Sequence, residues 1–256
     1  MYGIGSSARL RIALVGYGKM GHILDTLGTR HGHSIVARID KVSPTELAGL
    51  LRSSAADVAI EFTTPASAPE NISACVAAGI PVVCGTTGWY DHLADIKTLL
   101  AATPGSALFY APNFSIGVNI ALRTASLLAK FRRQFPQYAV SIEETHHTAK
   151  LDAPSGTAIA LAQPFLAKEE GGTEEGGYAS WQLVSEGSEA TENVLPITAH
   201  RMGEVAGIHT LCLDSAQDTL TLTHSAKSRE GFALGALAAA EFLVGRSGLF
   251  TMEDLL

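Results

Sequence analysis

A chain of 256 residues, 46% of them hydrophobic, is long enough to bury one large or two modest cores, which argues against global disorder. Its net charge of -7 disfavours bulk attraction to nucleic acid or to an acidic membrane surface. We therefore expect no nucleic-acid partner. An anionic ligand would have to be bound by a local cluster of basic side chains.

The cysteines and the lack of long apolar runs bear on the cellular compartment. Cys75, Cys84 and Cys212 are widely spaced and odd in number, which indicates neither a disulfide framework nor a zinc knuckle and predicts buried, reduced thiols. No apolar run reaches the roughly 18 residues of a membrane span, and residues 1–8 have no apolar signal core. We therefore expect a cytoplasmic protein without a membrane partner.

The first part of the chain alternates apolar runs with helical patterns. Strands are predicted at 10–15, 34–39, 57–62, 80–84 and 107–110. Helices are predicted from the first glycine turn to about residue 30 and at 44–51, 70–78 and 93–101. Strands that alternate with helices predict a parallel sheet covered on both faces.

The pattern changes in the second part of the chain. A long helix is predicted at 118–131, a strand at 138–144, a helix at 156–167 and a charged surface loop at 168–177. Strands at 181–186, 194–200, 208–214 and 219–224 follow without helices between them, and a last helix is predicted at 232–243. The fold class is therefore α/β, with a Rossmann-like dinucleotide-binding domain and an α+β domain that has an open mixed sheet.

A glycine-rich turn follows the first strand and opens the first helix. Its residues are Gly16, Tyr17, Gly18, Lys19, Met20 and Gly21. Such a turn lets a pyrophosphate approach free backbone N–H groups. Asp40 follows Gly21 by nineteen residues at a predicted strand end, where a carboxylate accepts hydrogen bonds from ribose hydroxyls. This context favours a dinucleotide site; a glycine turn without a nucleotide and an ordinary turn aspartate are the alternatives.

Two further features of this part bear on the cofactor. Lys41 directly follows Asp40. The carboxylate of Asp40 favours NADH, whereas the ammonium of Lys41 would tolerate the 2′-phosphate of NADPH. A solvated surface lysine is the alternative interpretation of Lys41. Gly85, Thr86 and Thr87 follow another predicted strand, on the sheet edge where such folds bind ligands, with a plain tight turn as the alternative. We predict NADH, NADPH or both as the cofactor.

The segment 143–158 has the sequence EETHHTAKLDAPSGTA and joins proton donors to an anion site. His146 and His147 are adjacent, so on a strand they face opposite ways. An imidazole can deliver a proton near neutrality, and Lys150 could bind a carboxylate or donate a proton. The next helix starts in a turn whose free N–H groups suit an anion, formed by Ser155, Gly156 and Thr157.

Two other interpretations of the histidines stay open at this point. One is a metal site, although no third ligand with suitable spacing is apparent, so we predict none. The other is a purely structural role for both histidines.

Taken together, these residues resemble the dihydrodipicolinate reductase family, also named 4-hydroxy-tetrahydrodipicolinate reductase, of the diaminopimelate route to lysine. The resemblance covers nearly the whole chain, and its most specific part is the His-His-x-x-Lys-x-Asp-Ala-Pro-Ser-Gly-Thr-Ala string. It implies a cofactor domain of residues 1–114 and 226–256 and a domain of residues 115–225 for substrate binding and tetramer contacts. It further implies a small dicarboxylate substrate and a homotetramer.

The resemblance also implies roles for single residues. His146 would be the catalytic acid/base and would protonate the enamine-like carbon formed by hydride transfer. Lys150 would be the second proton donor or a carboxylate ligand. His147 and the Ser155–Gly156–Thr157 turn would bind substrate. The cofactor would contact the glycine turn and a further set of residues: Asp40, Lys41, Gly85, Thr86, Thr87, Ala111, Pro112, Asn113, Phe114, Arg229 and Phe232.

Two departures from the family pattern affect the binding sites. The stretch between Asp40 and Asp57 is shorter than in many members, and Thr148 and Ala149 replace a more basic pair. Two other functions compete with the reductase: another two-domain amino-acid-pathway dehydrogenase, and a nucleotide-sensing module without catalysis. The histidine–lysine string counts against both.

Overall fold

The computed structural model describes residues 9–167, 177–185 and 191–256. These residues form two compact units. The flanking unit consists of the described residues up to Ile116 together with Glu230–Leu256, and the central unit is Gly117–Arg229. The segment 1–8, nearly all of the predicted surface loop and the end of the strand predicted at 181–186 lie outside the described residues.

The described residues contain the following elements in chain order. The strands are β1 Arg11–Val15, β2 Ser34–Ile39, β3 Val58–Glu61, β4 Val82–Cys84, β5 Ala107–Tyr110, β6 Ala139–His146, β7 Ser180–Val184, β8 Val194–Arg201, β9 Ile208–Asp214, β10 Thr219–Ser225 and β11 Gly248–Phe250. The α-helices are α1 Lys19–Arg30, α2 Pro44–Ser54, α3 Ala68–Ala78, α4 Leu93–Ala102, α5 Ile116–Gln134, α6 Gly156–Ala162, α7 Glu230–Leu243 and α8 Met252–Leu255.

The flanking unit is built on a six-stranded sheet in the order β11-β5-β4-β3-β1-β2, with every pair parallel. Successive side chains of β1 point to opposite faces, so Ile12 packs in the core that includes residues of α1 and α7, and Ala13 in the core that includes residues of α2, α3 and α4. Both faces are therefore covered by helices, and the predicted Rossmann-like sheet is confirmed.

The chain order within this sheet reverses beside β1, with β2 on one side and β3 on the other. Open α/β sheets bind ligands at such a switch point, outside the carboxyl ends of the strands. This edge carries the loops that follow β1, β3 and β4.

The central unit has a five-stranded sheet in the order β10-β9-β6-β8-β7. β6 pairs antiparallel with β9 and parallel with β8, so the sheet is mixed as predicted. Alternate residues of β6, such as Val140 and Ile142, are buried in one core with residues of α5 and α6. Glu143, between two buried positions, is exposed on the other face of the sheet.

Three sequence predictions need correction. The helix predicted at 156–167 ends at Ala162 and continues as a 3-10 turn, Gln163–Phe165, because Pro164 has no backbone N–H to continue the α-helical ladder. The tail forms β11 and α8, neither of which was predicted. Cys212 is only partly buried, since it alternates with the buried Leu211 and Leu213 along β9, whereas Cys75 and Cys84 are buried as expected.

Among the described residues, no helix is both long enough and apolar enough to cross a membrane.

Candidate active site

The glycine turn of the flanking unit is closely packed against the loop after β3. Gly16 has φ +91, and a Cβ atom there would overlap the carbonyl oxygen of Phe62. Only glycine can occupy this position without displacing backbone. Gly18 is the N-cap of α1 and has no side chain with which to cap it, so the first N–H groups of the helix are available to an anion. The turn has the features of a pyrophosphate cradle.

Two cavities lie at this carboxyl edge of the sheet. One has a volume of about 450 Å³, and its lining includes six of the predicted cofactor residues: Gly18, Lys19, Met20, Gly85, Thr86 and Thr87. The other has a volume of about 300 Å³, and its lining includes Gly16, Gly18, Asp40 and Lys41. Both are also lined by Phe62 and Thr63. Most of the predicted cofactor residues of this unit are therefore brought together around β1, β3 and β4.

The sequence prediction missed the loop after β3. Thr63 donates its backbone N–H to Thr86 Oγ1 at 2.7 Å, which ties the loops after β3 and β4 together. The hydroxyl of Thr63 donates to the buried carboxylate of Glu61, and Cys84 Sγ lies 3.0 Å from the other oxygen of Glu61. Burial, and then the neighbouring Glu61, raises the pKa of Cys84 well above its ordinary value. The two loops thus rest on a polar network, and their position after parallel strands was the signal available in the sequence.

The remaining cofactor candidates have other surroundings. Tyr17 donates its hydroxyl to Asp25, which also accepts from Arg38 Nε at 2.6 Å. Residues 111–114 follow β5 directly; among them Ala111 and Phe114 are buried. In the chain segment before α7, Arg229 is exposed, and Phe232 in the first turn of α7 is half-buried.

In the central unit, His146 is the last residue of β6, and His147 follows the strand as a half-buried residue. Glu144 lies two residues before His146 and therefore on the same face of the sheet. The Glu144 carboxylate contacts the Nδ1 atom of His146. The ring of His209 also packs against the His146 imidazole, with the two ring centres 5.0 Å apart in an edge-to-face arrangement.

Glu144 is buried and has several hydrogen-bond donors. Its Oε1 atom accepts from Arg201 Nη2 at 3.0 Å and from the backbone N–H of Ser155 at 3.2 Å. Burial opposes ionisation of the carboxyl group, but the hydrogen bonds from Arg201 and His146 outweigh it, so the pKa of Glu144 lies below its ordinary value. Glu144 is therefore a carboxylate at neutral pH.

Arg201 also holds the loop that carries Lys150. Its guanidinium donates to the carbonyl oxygens of Lys150 at 3.3 Å and of Asp152 at 2.7 Å. Lys150 Nζ lies 2.7 Å from both oxygens of Asp152, and this hydrogen bond is the main cause that lowers the pKa of Asp152. The ammonium is thus paired with an exposed carboxylate, and the backbone of its loop is tied through Arg201 to the Glu144 carboxylate.

The turn before α6 is anchored inside the protein. Ser155 Oγ accepts from the backbone N–H of Ala158 at 3.2 Å and lies 2.9 Å from His209 Nε2. Burial is the main cause that lowers the pKa of His209 to about 4, so this imidazole is neutral near pH 7. Ser155 is buried, whereas Gly156 is exposed and Thr157 is half-buried. The part of the turn that a ligand can reach is therefore its second and third residues.

A metal site is geometrically conceivable at this place. Glu144, His146 and His209 each offer a ligand atom, and these atoms lie within 4.8 Å of one another. However, the guanidinium of Arg201 already lies 3.0 Å from the carboxylate, and its positive charge would repel a cation there. We therefore interpret the group as a hydrogen-bonded network. That the protein needs no metal stays a prediction.

Most of the predicted site residues thus lie in two groups, one in each unit. Sequence reasoning missed Glu144, Arg201 and His209 as members of the central group. The position of Glu144 two residues before His146 on a predicted strand was a usable signal. Arg201 and His209 are brought in by strand pairing, since His146 lies opposite Arg201 on β8, and Glu144 opposite His209 on β9.

Comparison with known proteins identifies the family. Residues 10–114 match the family described as Dihydrodipicolinate reductase, N-terminus, and residues 117–256 match Dihydrodipicolinate reductase, C-terminus. The chain belongs to the dihydrodipicolinate reductase family. It is similar to the 4-hydroxy-tetrahydrodipicolinate reductase of Christiangramia forsetii, with 43% identity over 247 residues that cover 96% of this chain and 98% of that protein.

Other reductases of this family show the same likeness. The 4-hydroxy-tetrahydrodipicolinate reductase of Archaeoglobus fulgidus is 34% identical over 264 residues, covering 96% of this chain and 100% of the relative. Among solved structures, a dipicolinate-bound dihydrodipicolinate reductase from Paenisporosarcina sp. TG-14 is similar, with a TM-score of 0.76, 25% identity and coverage of 97% of this chain and 100% of that one. A scyllo-inositol dehydrogenase from Lactobacillus casei, at 10% identity and a TM-score of 0.53 with coverage of 93% and 87%, shares the fold alone.

Proposed function

We propose that this protein reduces 4-hydroxy-tetrahydrodipicolinate to tetrahydrodipicolinate with NADH or NADPH, a step of diaminopimelate and lysine biosynthesis. The observation that carries this proposal is the buried network around His146. His146 and Ser155 of this network belong to the most specific sequence string of the family, and Glu144 and Arg201 are joined to them by hydrogen bonds. The full-length similarity to reductases named for this reaction supports it. So does the dipicolinate of the similar solved structure, a planar relative of the proposed substrate.

The flanking unit would hold the cofactor. Backbone N–H groups at Gly18 and the start of α1 would bind the pyrophosphate, and Asp40 would accept from the adenosine ribose. Lys41 beside it would tolerate a 2′-phosphate, so both cofactors should work, with NADH at least as good as NADPH. When bound, the reduced nicotinamide supplies the hydride. The loop residues Gly85, Thr86 and Thr87 would line the nicotinamide end, with Arg229, Phe232 and residues 111–114 as further contacts.

The central unit would bind and protonate the substrate. His146 delivers a proton to the substrate carbon next to the one that is reduced. Lys150 and the N–H and hydroxyl groups at Gly156 and Thr157 bind a carboxylate, and His147 contacts the same ligand. Ser155 holds the turn in place through Ala158 and His209. Since the protein as a whole is acidic, these basic groups are what would attract a dicarboxylate.

We further propose a homotetramer in the cytoplasm. The described part of the central unit exposes several apolar side chains around α5 and the edge strand β10, among them Phe131, Phe135 and Leu220, which a second copy of the chain would cover. The free cysteines are consistent with a reducing compartment. Light scattering of the purified protein at several concentrations tests the assembly.

One coupled assay tests the activity. Substrate is generated by a synthase from its aldehyde and keto-acid precursors, and the consumption of NADH and of NADPH is followed separately. Turnover that depends on the synthase supports the proposal. Turnover of an amino acid or aspartate instead would favour the second dehydrogenase class, and tight NADH binding without any turnover would favour the sensing module.

A further inference from the structure

We propose that Glu144, fixed by Arg201, is the positioning residue that sets the protonation pattern of the His146 imidazole. This inference rests on the proposed function, because it assigns His146 the role of proton donor. It concerns which ring nitrogen stays protonated and which one donates its proton to the substrate. Neither Glu144 nor Arg201 need touch the substrate for this role.

The two side chains are held together by the strand that carries both. Glu144 and His146 lie on the buried face of β6, and the Glu144 side chain has 0% of its surface exposed. Its Oε2 atom contacts His146 Nδ1. A carboxylate only accepts hydrogen bonds, so Nδ1 must carry the proton that this contact needs. The geometry therefore selects the Nδ1–H form of the neutral ring.

The carboxylate itself has a fixed orientation. Its Oε1 atom accepts from Arg201 Nη2 at 3.0 Å and from the Ser155 N–H at 3.2 Å, while Oε2 is turned to the imidazole. Arg201 is held in turn by three backbone carbonyls, those of His200, Lys150 and Asp152, at 2.6 to 3.3 Å. Rotation of the carboxylate would break the Oε1 contacts, so its two oxygens have different partners.

This arrangement has a direct chemical consequence at the other ring nitrogen. In the protonated imidazole both nitrogens carry hydrogen. When the Nε2–H bond breaks, its electron pair stays on Nε2, the proton forms a C–H bond with the reduced substrate, and the neutral ring keeps its proton at Nδ1. Glu144 accepts a hydrogen bond from that product form, as it does from the protonated form, so no proton has to move from one nitrogen to the other during the step.

Arg201 extends the same control to the second predicted donor. The guanidinium that orients Glu144 also binds the carbonyl of Lys150 and the carbonyl of Asp152, so it joins the histidine and the lysine loop in one rigid network. His209 lies beside the ring, and burial keeps it neutral near pH 7, so it adds no competing positive charge there. Movement of Arg201 would therefore disturb both groups together.

The substitution Glu144→Gln tests this inference with almost no change in shape. Ser155 N–H and Arg201 Nη2 both donate to the Oε1 position, so the amide oxygen has to occupy it. The amide NH₂ group then faces His146 Nδ1 and donates to it. The neutral ring is forced into the Nε2–H form, which is the opposite of the form left after proton delivery.

Two measurements report the result. ¹⁵N NMR of the protein without cofactor or substrate, with His146→Gln to assign the signal, should show the neutral ring as Nδ1–H in the wild type and as Nε2–H in Glu144→Gln. In the coupled assay, kcat of the variant should fall about 10²- to 10⁴-fold, the range for loss of a positioned acid, with the KM values for substrate and NADH changed less than twofold. The solvent deuterium isotope effect on kcat should rise, because proton transfer to the substrate becomes rate-limiting. The isotope effect on kcat from NADH deuterated at C4 should fall, because hydride transfer then limits the rate less.

The matched control is Glu143→Gln, the same change one residue away on the exposed face of β6. It should leave the His146 signal and kcat at wild-type values. A Glu144→Gln protein with the wild-type tautomer, or with unchanged kcat, would overturn the inference; so would a fall in kcat that leaves the isotope effects unaltered, because that outcome indicates a structural defect. Failure of the wild type itself to reduce the substrate would instead refute the proposed function.

Discussion

The Nε2 atom of His146 lies 3.0 Å from the point that a Cβ atom would occupy at Gly207, a buried residue with φ +151. The glycine therefore leaves room for the ring on its proton-donating side. Gly207→Ala should push the imidazole away and lower kcat by at least tenfold, with unchanged affinity for NADH. It should also destabilise the fold by about 1–3 kcal/mol through backbone strain. Steady-state kinetics and urea unfolding measure the two effects.

A control separates strain from contact. Gly203 also has a positive φ, of +48, but an added Cβ there would meet nothing within 4 Å. Gly203→Ala should lower the free energy of unfolding by a similar amount and leave kcat unchanged. If both variants lose the same activity, then crowding of His146 is not the cause.

His146→Gln removes the proposed proton donor. Turnover should fall about 10²- to 10⁴-fold, as is usual for a positioned general acid, whereas NADH affinity should barely change because the predicted cofactor residues, apart from Arg229, lie in the other unit. Fluorescence titration with NADH measures the cofactor affinity, and the coupled assay measures the turnover. A large loss of NADH affinity with normal turnover at saturation would show that the role of His146 is misassigned.

Thr157→Val keeps the shape of the side chain and removes the hydroxyl next to the proposed carboxylate. A hydrogen bond to a charged group contributes about 1.5–3 kcal/mol, so the substrate KM should rise at least tenfold while kcat changes little. Thr148→Val, the same change at an exposed position of the preceding loop, is the control and should keep the wild-type KM. An unchanged KM in Thr157→Val would move the anion site away from this turn.

Asp40 and Lys41 should act in opposite directions on cofactor choice. Lys41→Ala should weaken NADPH more than NADH, because only NADPH carries the additional phosphate. Asp40→Ala should do the reverse, since it removes the ribose hydrogen bonds on which NADH depends. The ratio of kcat/KM for the two cofactors is measured in both variants. If kcat/KM falls equally for NADH and NADPH in both variants, these side chains do not reach the ribose, although both line the same cavity.

His209 should make stability depend on pH. Burial lowers the pKa of His209 from the ordinary 6.5 to about 4. Between these two pH values His209 binds a proton in the unfolded chain but not in the folded protein. The contribution of His209 to the free energy of unfolding is on the order of 3 kcal/mol. It is fully present above pH 6.5 and is lost as the pH falls from 6.5 to about 4.

His209→Gln should flatten this dependence, as measured by urea unfolding at pH 7.0, 5.5 and 4.5. His31→Gln, a change at an exposed residue after α1, should keep the slope of the wild type. An unaltered slope in His209→Gln would assign the acid sensitivity to other groups.

The sequence predicted the elements whose local pattern is strong. β2, β5 and β9 were predicted with their observed bounds, because each is an apolar or alternating run that stops at turn residues. β11 has only three residues, which is too short for a pattern to be recognised. The helix after Gly156 was predicted too long, since apolar residues continue to Leu166 although Pro164 ends the α-helical ladder.

The candidate site was predictable to the extent that it lies in one contiguous string. His146, Lys150 and the turn at Thr157 share the segment 143–158; Glu144 lies in it too, although its role was not predicted. Arg201, however, is 57 residues from Glu144 in the sequence, and only the parallel pairing of β6 with β8 places it beside the carboxylate. Register between distant strands is a property of the folded sheet, so local patterns carry no information about it.

The parallel pairing of β11 with β5 implies an order of events during protein synthesis. When the ribosome has released residue 229, every residue of the central unit has been made, whereas the six-stranded sheet still lacks β11 and the cover provided by α7. The middle of the chain is therefore the first part able to fold completely, although the strands of the other sheet left the ribosome earlier. Until residue 250 is added, β5 remains an unpaired edge that a chaperone or a neighbouring nascent chain can bind.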